Sequence, residues 1–290
     1  MIYIDDFFEA GKIAKKIKEE IGKIVKEGEK LIEIAEYLEN RIKDEGGIPA
    51  FPCNIGINEV AAHYSPIPND SSVIPPNSIV KIDIGVHVNG CIADTALTIS
   101  LNPEYDPLVS TVNIALEEAL KIIKAGVFTS YIGEVISSTI KKYGFKPISN
   151  LTGHEIDRYK LHAGTSIPNV PTREKNIFKE NHIYAIEPFA TFSKAIGEVF
   201  SGKEITIYKL KENFIIKEEN FIKKIKEKVN SLPYSLRWFE LSDIEMKIHQ
   251  KLFKKGMILG YPILIEKSGY PVAQAEHTIL VLKDGCKILT

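Results

Sequence analysis

The sequence predicts an α+β fold built from two copies of one unit, each a pair of helices followed by antiparallel strands. Residues 5–45 carry apolar side chains at helical spacing, and Gly28 divides them into two helices. Residues 107–144 have the same pattern. Nine residue pairs, including Gly28 with Gly126, match when the chain is shifted by 98 positions without a gap. Chance matching among Lys-rich and Glu-rich helices is the alternative, but matched glycines at turns favour a duplication.

A β-hairpin is predicted in the first half, where two runs rich in β-branched residues flank Asn89 and Gly90. Asn-Gly is the preferred pair for a two-residue hairpin turn. With this turn, Gly85 lies opposite Asp94, and Asp83 points to the same face of the hairpin. The two aspartates are therefore predicted to be diagonal neighbours whose backbones lie about 7–8 Å apart.

Two more acids lie in apolar segments of the second half. Glu187 lies in HIYAIEPF and Glu276 in AQAEHTILVL, and we predict a strand for each segment. The acids of the first half are 11 positions apart, whereas those of the second half are 89 positions apart. A long insertion therefore separates two strands that the repeat would make neighbours.

The insertion is predicted to form a helical, winged-helix-like subdomain over residues 200–260, mounted on a core domain that spans residues 1–290. It contains more basic than acidic residues. Helical patterns occur near 217–229 and 243–255, and the second begins with a capping-box sequence at Ser242. An ordinary solvated helical face has the same excess of basic residues.

The four acids and three histidines are the candidate chemical groups. A single strand aspartate is more often paired or hydrogen-bonded than a metal ligand, but four acids on one sheet would repel each other unless a divalent cation were bound. Oxygen ligands with one imidazole suit Mn, Fe or Co, and paired metals can activate a shared water. His154 and His162 lie in one loop-rich passage. Under the repeat His63 falls one position from His162, which predicts that these two face each other across a cleft.

The overall composition excludes several classes of protein. A net charge of −1 over 290 residues provides no general basic field for nucleic acid or anionic lipid. No apolar run approaches the roughly 20 residues needed to span a bilayer, and the N-terminal segment lacks the basic start of a secretory signal. Three cysteines without a CxxC pair indicate neither a disulfide framework nor a structural zinc site. We expect a monomer in the cytoplasm.

Five segments together resemble the type 2 methionine aminopeptidases of the M24 metallopeptidase family. They are AFPCNIGINEVAAHYSP, KIDIGVHVNGCIADTALT, LTGHEIDRYKLHAG, YAIEPF and AQAEHTIL. The resemblance covers nearly the whole chain and implies the pita-bread fold of that family, itself a two-fold repeat around a dimetal centre. We expect the archaeal form of the type 2 enzymes, in which no extra N-terminal extension precedes the catalytic domain.

The resemblance implies a role for each candidate residue. Asp94 and Glu276 would bridge two divalent metal ions, with Co, Mn, Fe and Zn all open. Asp83 would chelate one ion, and His154 with Glu187 would complete the other. Glu187 would also move the proton of the attacking water, while His162 stabilises the oxyanion and His63 contacts the scissile amide. The methionine pocket of the family falls on Phe51, Leu161, Ile207 and Tyr261.

The implied reaction is removal of the initiator methionine from a peptide or nascent protein whose second residue is small. Three other hypotheses compete with this one. An X-Pro aminopeptidase or prolidase shares the fold, although such enzymes resemble the segments around His63 and His154 less. A non-catalytic relative that binds RNA or the ribosome would be expected to lose metal ligands. A dimetal phosphoesterase would use the same kinds of ligand, but the whole-chain resemblance disfavours it. In an enzyme, the basic insertion would also suit docking near a nascent-chain exit on the ribosome.

Overall fold

The computed structural model of this chain describes residues 3–211 and 219–290. No helix within these residues is long and apolar enough to cross a membrane. The helices there are α1 (Ile4–Ile24), α2 (Leu31–Asp44), α3 (Asp106–Ile122), α4 (Thr129–Lys142), α5 (Glu219–Val229) and α6 (Asp243–Lys254). The strands there are β1 (Ile48–Ile57), β2 (Val60–Ala62), β3 (Ile79–Val88), β4 (Cys91–Ser100), β5 (Phe145–Pro147), β6 (Thr152–Ile156), β7 (Ser166–Pro168), β8 (Ile183–Ile186), β9 (Phe189–Phe192), β10 (Val199–Leu210), β11 (Ile258–Glu266), β12 (Val272–Gln274), β13 (His277–Leu282) and β14 (Gly285–Ile288).

The internal repeat is visible in the helix pairs. Helix α4 begins at Thr129, which is 98 positions after Leu31, where α2 begins. Each pair is separated by a glycine in the left-handed region of backbone space, Gly28 at φ 81° and Gly126 at φ 84°. Only glycine adopts this conformation without steric cost, which explains why both turns carry it. The predicted duplication is confirmed.

Each half packs its helices on antiparallel sheet. In the first half, α1 and α2 cover the sheet β1-β3-β4, and Ile17, Leu38 and Ile55 meet in its core. In the second half, α3 and α4 pack against the sheets β12-β9-β5 and β14-β13-β8-β6-β7, with Val112 and Ile136 in the core. This confirms the predicted α+β fold.

The predicted hairpin forms with the predicted register. Strands β3 and β4 are antiparallel, with Gly85 opposite Asp94 and Asp83 opposite Ala96. Asn89 between the strands has φ 51°, as a turn of the favoured mirror-image type requires. The two aspartates are therefore diagonal neighbours on one face of the sheet.

The strand predictions for Glu187 and Glu276 were wrong in one respect. Glu187 lies between β8 and β9, and Glu276 lies between β12 and β13. At both points the chain leaves one sheet and enters another, because β9 pairs with β12 whereas β8 pairs with β13. Pro188, which follows Glu187, has no backbone N–H and cannot continue a strand ladder. Both acids thus lie at a gap between two sheets.

The inserted segment has a small core of its own. Phe221 and Ile225 of α5 pack with Leu252 of α6 and with residues of β10 and β11. Helix α6 begins with the predicted capping box, in which Ser242 and Glu245 exchange hydrogen bonds. The long paired strands β10 and β11 flank the helices. β10 lies almost wholly within residues 200–260, where the sequence indicated helices and no strand. The first positions of the helix predicted near 217–229 lie outside the described residues.

Candidate metal centre and active site

A pocket of about 360 Å³ lies between the two halves of the chain. It brings together all the residues that the sequence singled out, although the role given to each stays a prediction. The predicted residues that line it are Phe51, His63, Asp83, Asp94, His154, Leu161, His162, Glu187, Ile207, Tyr261 and Glu276.

The polar side of the pocket is a cluster of acids around one imidazole. Ligand atoms of Asp94, His154 and Glu276 all lie within 4.8 Å of one another. The Nε2 atom of His154 is 3.5 Å from Oδ2 of Asp94 and 3.6 Å from Oε1 of Glu187. Asp83 joins the cluster from the neighbouring strand of the hairpin. Oxygen atoms and one ring nitrogen thus converge on one small volume.

The electrostatics of the cluster favour a bound cation. Burial raises the pKa of Asp94 to about 7, and burial together with the charge of Asp94 raises the pKa of Asp83, Glu187 and Glu276 well above the usual range. Burial also lowers the pKa of His154 to about 4. Within residues 3–211 and 219–290, the buried Oδ1 atoms of Asp83 and Asp94 have no hydrogen-bond partner. A divalent ion would supply the missing partner and the compensating charge, so the residues present fit a metal site.

Hydrogen bonds join the two halves directly behind the acids. The hydroxyl of Thr278 accepts from the backbone N–H of Asp94 and donates to its carbonyl, each at 2.7 Å. Lys18 of α1 donates to the carbonyl of Glu276 and to the hydroxyl of Thr95, each at 2.9 Å. The backbone of one acid from each half is therefore held by hydrogen bonds to the other half. These contacts could not be predicted from the sequence.

Two histidines flank the cluster in neutral form. The ring of His162 lies edge-on to His154 with 4.4 Å between centroids, and the ring of His63 lies edge-on to Tyr261 at 5.5 Å. Burial lowers the pKa of His63 to about 4 and that of His162 to about 3. A neutral imidazole carries one N–H donor, so each ring can donate a hydrogen bond to a bound polar group.

The other side of the pocket is apolar. Phe51, Leu161 and Ile207 are almost fully buried there, and Ile207 lies opposite Tyr261 in the pairing of β10 with β11. The ring of Phe51 lies against Gly85, where an added Cβ would come within 2.2 Å of a ring atom. Gly85 therefore makes the room that this aromatic wall needs.

Sequence reasoning missed several lining residues. Asn54 is buried in the pocket opposite Asp83, and its Oδ1 has no hydrogen-bond partner in the described part of the chain. Only the pairing of β1 with β3, which the sequence does not reveal, places it there. The other lining residues that were not predicted are Ala62, Asn150, Leu151, Thr152, Gly164, Thr165, Ser166, Phe189, Pro233 and Leu264.

Known proteins resemble this chain over nearly its whole length. The model of metallopeptidase family M24 matches residues 5–281. A methionine aminopeptidase of Thermococcus onnurineus is 44% identical over 288 residues, covering 97% of each chain. Another, of Saccharolobus solfataricus, is 45% identical over 289 residues, covering 97% of this chain and 95% of the relative.

Solved structures share the fold. A thermophilic Arx1 superposes with a TM-score of 0.83 at 17% identity, covering 100% of this chain and 90% of that one. A methionine aminopeptidase of Thermotoga maritima superposes with a TM-score of 0.71 at 21% identity, covering 99% and 96%. These structures show the fold alone, whereas the family rests on the sequence matches. This chain belongs to the M24 metallopeptidases, within their methionine aminopeptidases.

Proposed function

We propose that this chain removes the N-terminal methionine from peptides and nascent proteins whose second residue is small. The observation that carries the proposal is the pocket, in which an acid cluster able to hold metal lies beside a narrow apolar wall. An unbranched apolar side chain such as methionine suits that wall, and the polar cluster then faces the first peptide bond. A buried pocket of this size has room for one side chain, as expected of an exopeptidase.

We propose two divalent ions, held by the acids of both halves with one histidine. When bound, they would lower the pKa of a water molecule and polarise the carbonyl of the scissile bond. Four carboxylates are more than one small ion needs for charge balance, which supports a pair. The donor set suits Co, Mn, Fe or Zn. The proposed ligands are Asp83, Asp94, His154, Glu187 and Glu276.

Three side chains of the protein would transfer the proton, stabilise the oxyanion and orient the scissile amide. The carboxylate of Glu187 would take up the proton of the attacking water and pass it to the departing amine. The ring N–H of His162 would donate to the oxygen that becomes negative in the transition state. His63 would hold the scissile amide from the opposite side. Burial keeps both rings neutral, which suits donation of a hydrogen bond rather than supply of a proton.

Phe51, Leu161, Ile207 and Tyr261 would surround the methionine side chain. Burying it against them would stabilise the complex by about 2 kcal/mol. An X-Pro aminopeptidase or prolidase of the same fold is the competing function. Curated relatives that are 40–45% identical to this chain carry the name methionine aminopeptidase, which favours methionine removal over the alternatives.

A peptide panel tests the proposal. The purified protein, loaded in turn with Co, Mn, Fe or Zn, is given Met-Ala-Ser, Met-Leu-Ser and an Xaa-Pro dipeptide, and released amino acid is measured. We expect rapid release of methionine from Met-Ala-Ser, slow release from Met-Leu-Ser and none from the Xaa-Pro dipeptide. Cleavage of the Xaa-Pro dipeptide in preference to Met-Ala-Ser would overturn the assignment, and comparison of the four metals addresses the identity of the ion.

A further inference from the structure

A buried ion pair joins the inserted segment to the core, away from the acid cluster. Arg237, in the 3-10 turn Leu236–Trp238, binds Glu39 of α2 through two guanidinium nitrogens. Their side chains are only 4% and 3% exposed. The indole Nε1 of Trp238 donates to the same carboxylate at 2.7 Å. Neither charged residue lines the pocket, yet each makes further contacts that lead to it.

The carboxylate of Glu39 reaches the strand that carries Phe51. Its Oε1 atom accepts a hydrogen bond of 2.9 Å from the backbone N–H of Cys53. The pairing of β1 with β3 shifts its register between Phe51 and Asn54, so the strand is irregular where it forms the pocket wall. Irregularities of this kind re-aim side chains near active sites. Glu39 thus holds the irregular backbone at the second residue after Phe51.

The guanidinium of Arg237 reaches the segment that carries His63. It donates to the carbonyl of Pro66 at 3.1 Å and to the hydroxyl of Ser65 at 3.2 Å. His63 itself has φ 67°, a left-handed conformation that is strained for a non-glycine residue. Such a conformation persists only where its surroundings hold it. Arg237 supplies two of these contacts, at the second and third residues after His63.

We propose that Glu39 and Arg237 are positioning residues for substrate binding: one ion pair holds both Phe51 and His63 in place across the pocket. The inference rests on the proposed function, since it takes these two residues to contact the substrate. A buried ion pair is weak evidence of stability, because desolvation of the two charges opposes their attraction. The pair instead makes three hydrogen bonds to backbone and hydroxyl groups in the segments that carry Phe51 and His63, which indicates a role in geometry.

Three variants separate geometry from stability. Arg237→Met breaks the pair. The double variant Glu39→Leu with Arg237→Met replaces it by apolar side chains of similar volume, a change that often leaves stability intact. Lys224→Met is the matched control, because Lys224 forms an exposed salt bridge with Glu245 inside the inserted segment and has no contact with the pocket. Each protein is assayed for KM and kcat on Met-Ala-Ser, metal content, and thermal unfolding.

For both variants of the ion pair we expect KM to rise about tenfold, because displacement of pocket residues weakens substrate binding. Metal content stays at the wild-type value, and the control retains its KM. A purely structural role would lower the active fraction, and with it kcat, while leaving KM unchanged. A KM within about twofold of the wild type in the folded double variant, or a loss of metal, overturns the inference. Failure of the wild type itself to cleave Met-Ala-Ser would instead overturn the proposed function.

Discussion

The two halves of the chain descend from one helix-and-strand unit but present their acids to the pocket in different ways. In the first half, Asp83 and Asp94 lie on one hairpin, and an Asn-Gly turn fixes their register. In the second half, Glu187 and Glu276 lie at two points where the chain passes from one sheet to another. Local pairing therefore sets the first two positions, whereas packing between distant segments sets the last two.

This difference determines what holds each acid. The backbone of Glu187 is held by Asn169, whose Nδ2 donates to its carbonyl at 3.1 Å. The carbonyl of Glu276 accepts from Lys18 and Thr95 of the first half. Asp94 also has its backbone N–H and carbonyl bonded by Thr278 of the second half, but its register is already set by the pairing of β4 with β3. In the second half, contacts with distant residues position the acids, whereas in the first half strand pairing does so. The metal centre depends on both arrangements.

The largest expected effect tests whether both arrangements hold metal. Asp94→Ala in the first half and Glu276→Ala in the second should each reduce bound metal and abolish turnover, because each removes a buried carboxylate from the same cluster. His63→Ala should lower turnover by about 10²-fold or more while leaving metal bound, since the scissile amide loses the side chain that orients it. Metal content by atomic absorption, measured beside turnover, distinguishes the two outcomes. Equal metal retention in all three proteins would show that neither acid is a ligand.

A pair of glycine substitutions compares the two halves next. At Gly153, beside His154, an added Cβ would lie 2.3 Å from the backbone oxygen of Ala185 on β8. At Gly85 the Cβ would instead meet the side chain of Phe51 at 2.2 Å. A backbone atom within a sheet cannot move away as a ring can. We therefore expect Gly153→Ala to lower the free energy of unfolding by about 3 kcal/mol and Gly85→Ala by about 1–2 kcal/mol.

The catalytic consequences of the two substitutions should also differ. Gly85→Ala displaces an apolar wall and should raise KM for Met-Ala-Ser, whereas Gly153→Ala disturbs the pairing of β6 with β8 next to His154 and should reduce bound metal. Urea unfolding, KM and metal content are the measurements. A larger loss of unfolding free energy for Gly85→Ala than for Gly153→Ala would contradict this comparison. It would show that the hairpin half accommodates an added Cβ less well than the second half.

The first half can be predicted from the sequence better than the second half. Local strand pairing places the acids of the first half, whereas packing between distant segments places those of the second. Alternating β-branched residues around Asn-Gly specify strand, turn and register together, so the diagonal placement of Asp83 and Asp94 follows from local rules. The break after Glu187 had a visible signal in Pro188. No proline or glycine lies beside Glu276, so the sequence does not mark the point at which the chain changes sheets there. Packing sets that point. Continuous apolar runs therefore predict one long strand where the structure has two.

Contacts between distant residues are what the sequence does not reveal. Glu39 and Arg237 are separated by 198 positions, and Lys18 and Glu276 by 258. Lys18 and Glu39 occur in helical segments rich in Lys and Glu, where a solvated surface position is the ordinary expectation. Only the folded chain shows that Glu39 is buried, that Lys18 is partly buried and that both form hydrogen bonds to distant residues. The candidate ligands and pocket residues could be named in advance, but the residues that hold them could not.

The smallest expected effect compares the two equivalent glycine turns of the repeat. Gly28 and Gly126 have the same positive φ, and an added Cβ meets no atom within 4 Å at either position. An alanine there suffers only the backbone strain of the left-handed region, about 1 kcal/mol. Gly28→Ala and Gly126→Ala should therefore lower the free energy of urea unfolding equally. Gly22→Ala is the control, since this position lies inside α1 with open space around it and alanine favours a helix by about 1 kcal/mol. Unequal losses at Gly28 and Gly126 would mean that the two turns, though alike in backbone conformation, contribute differently to the stability of the two halves.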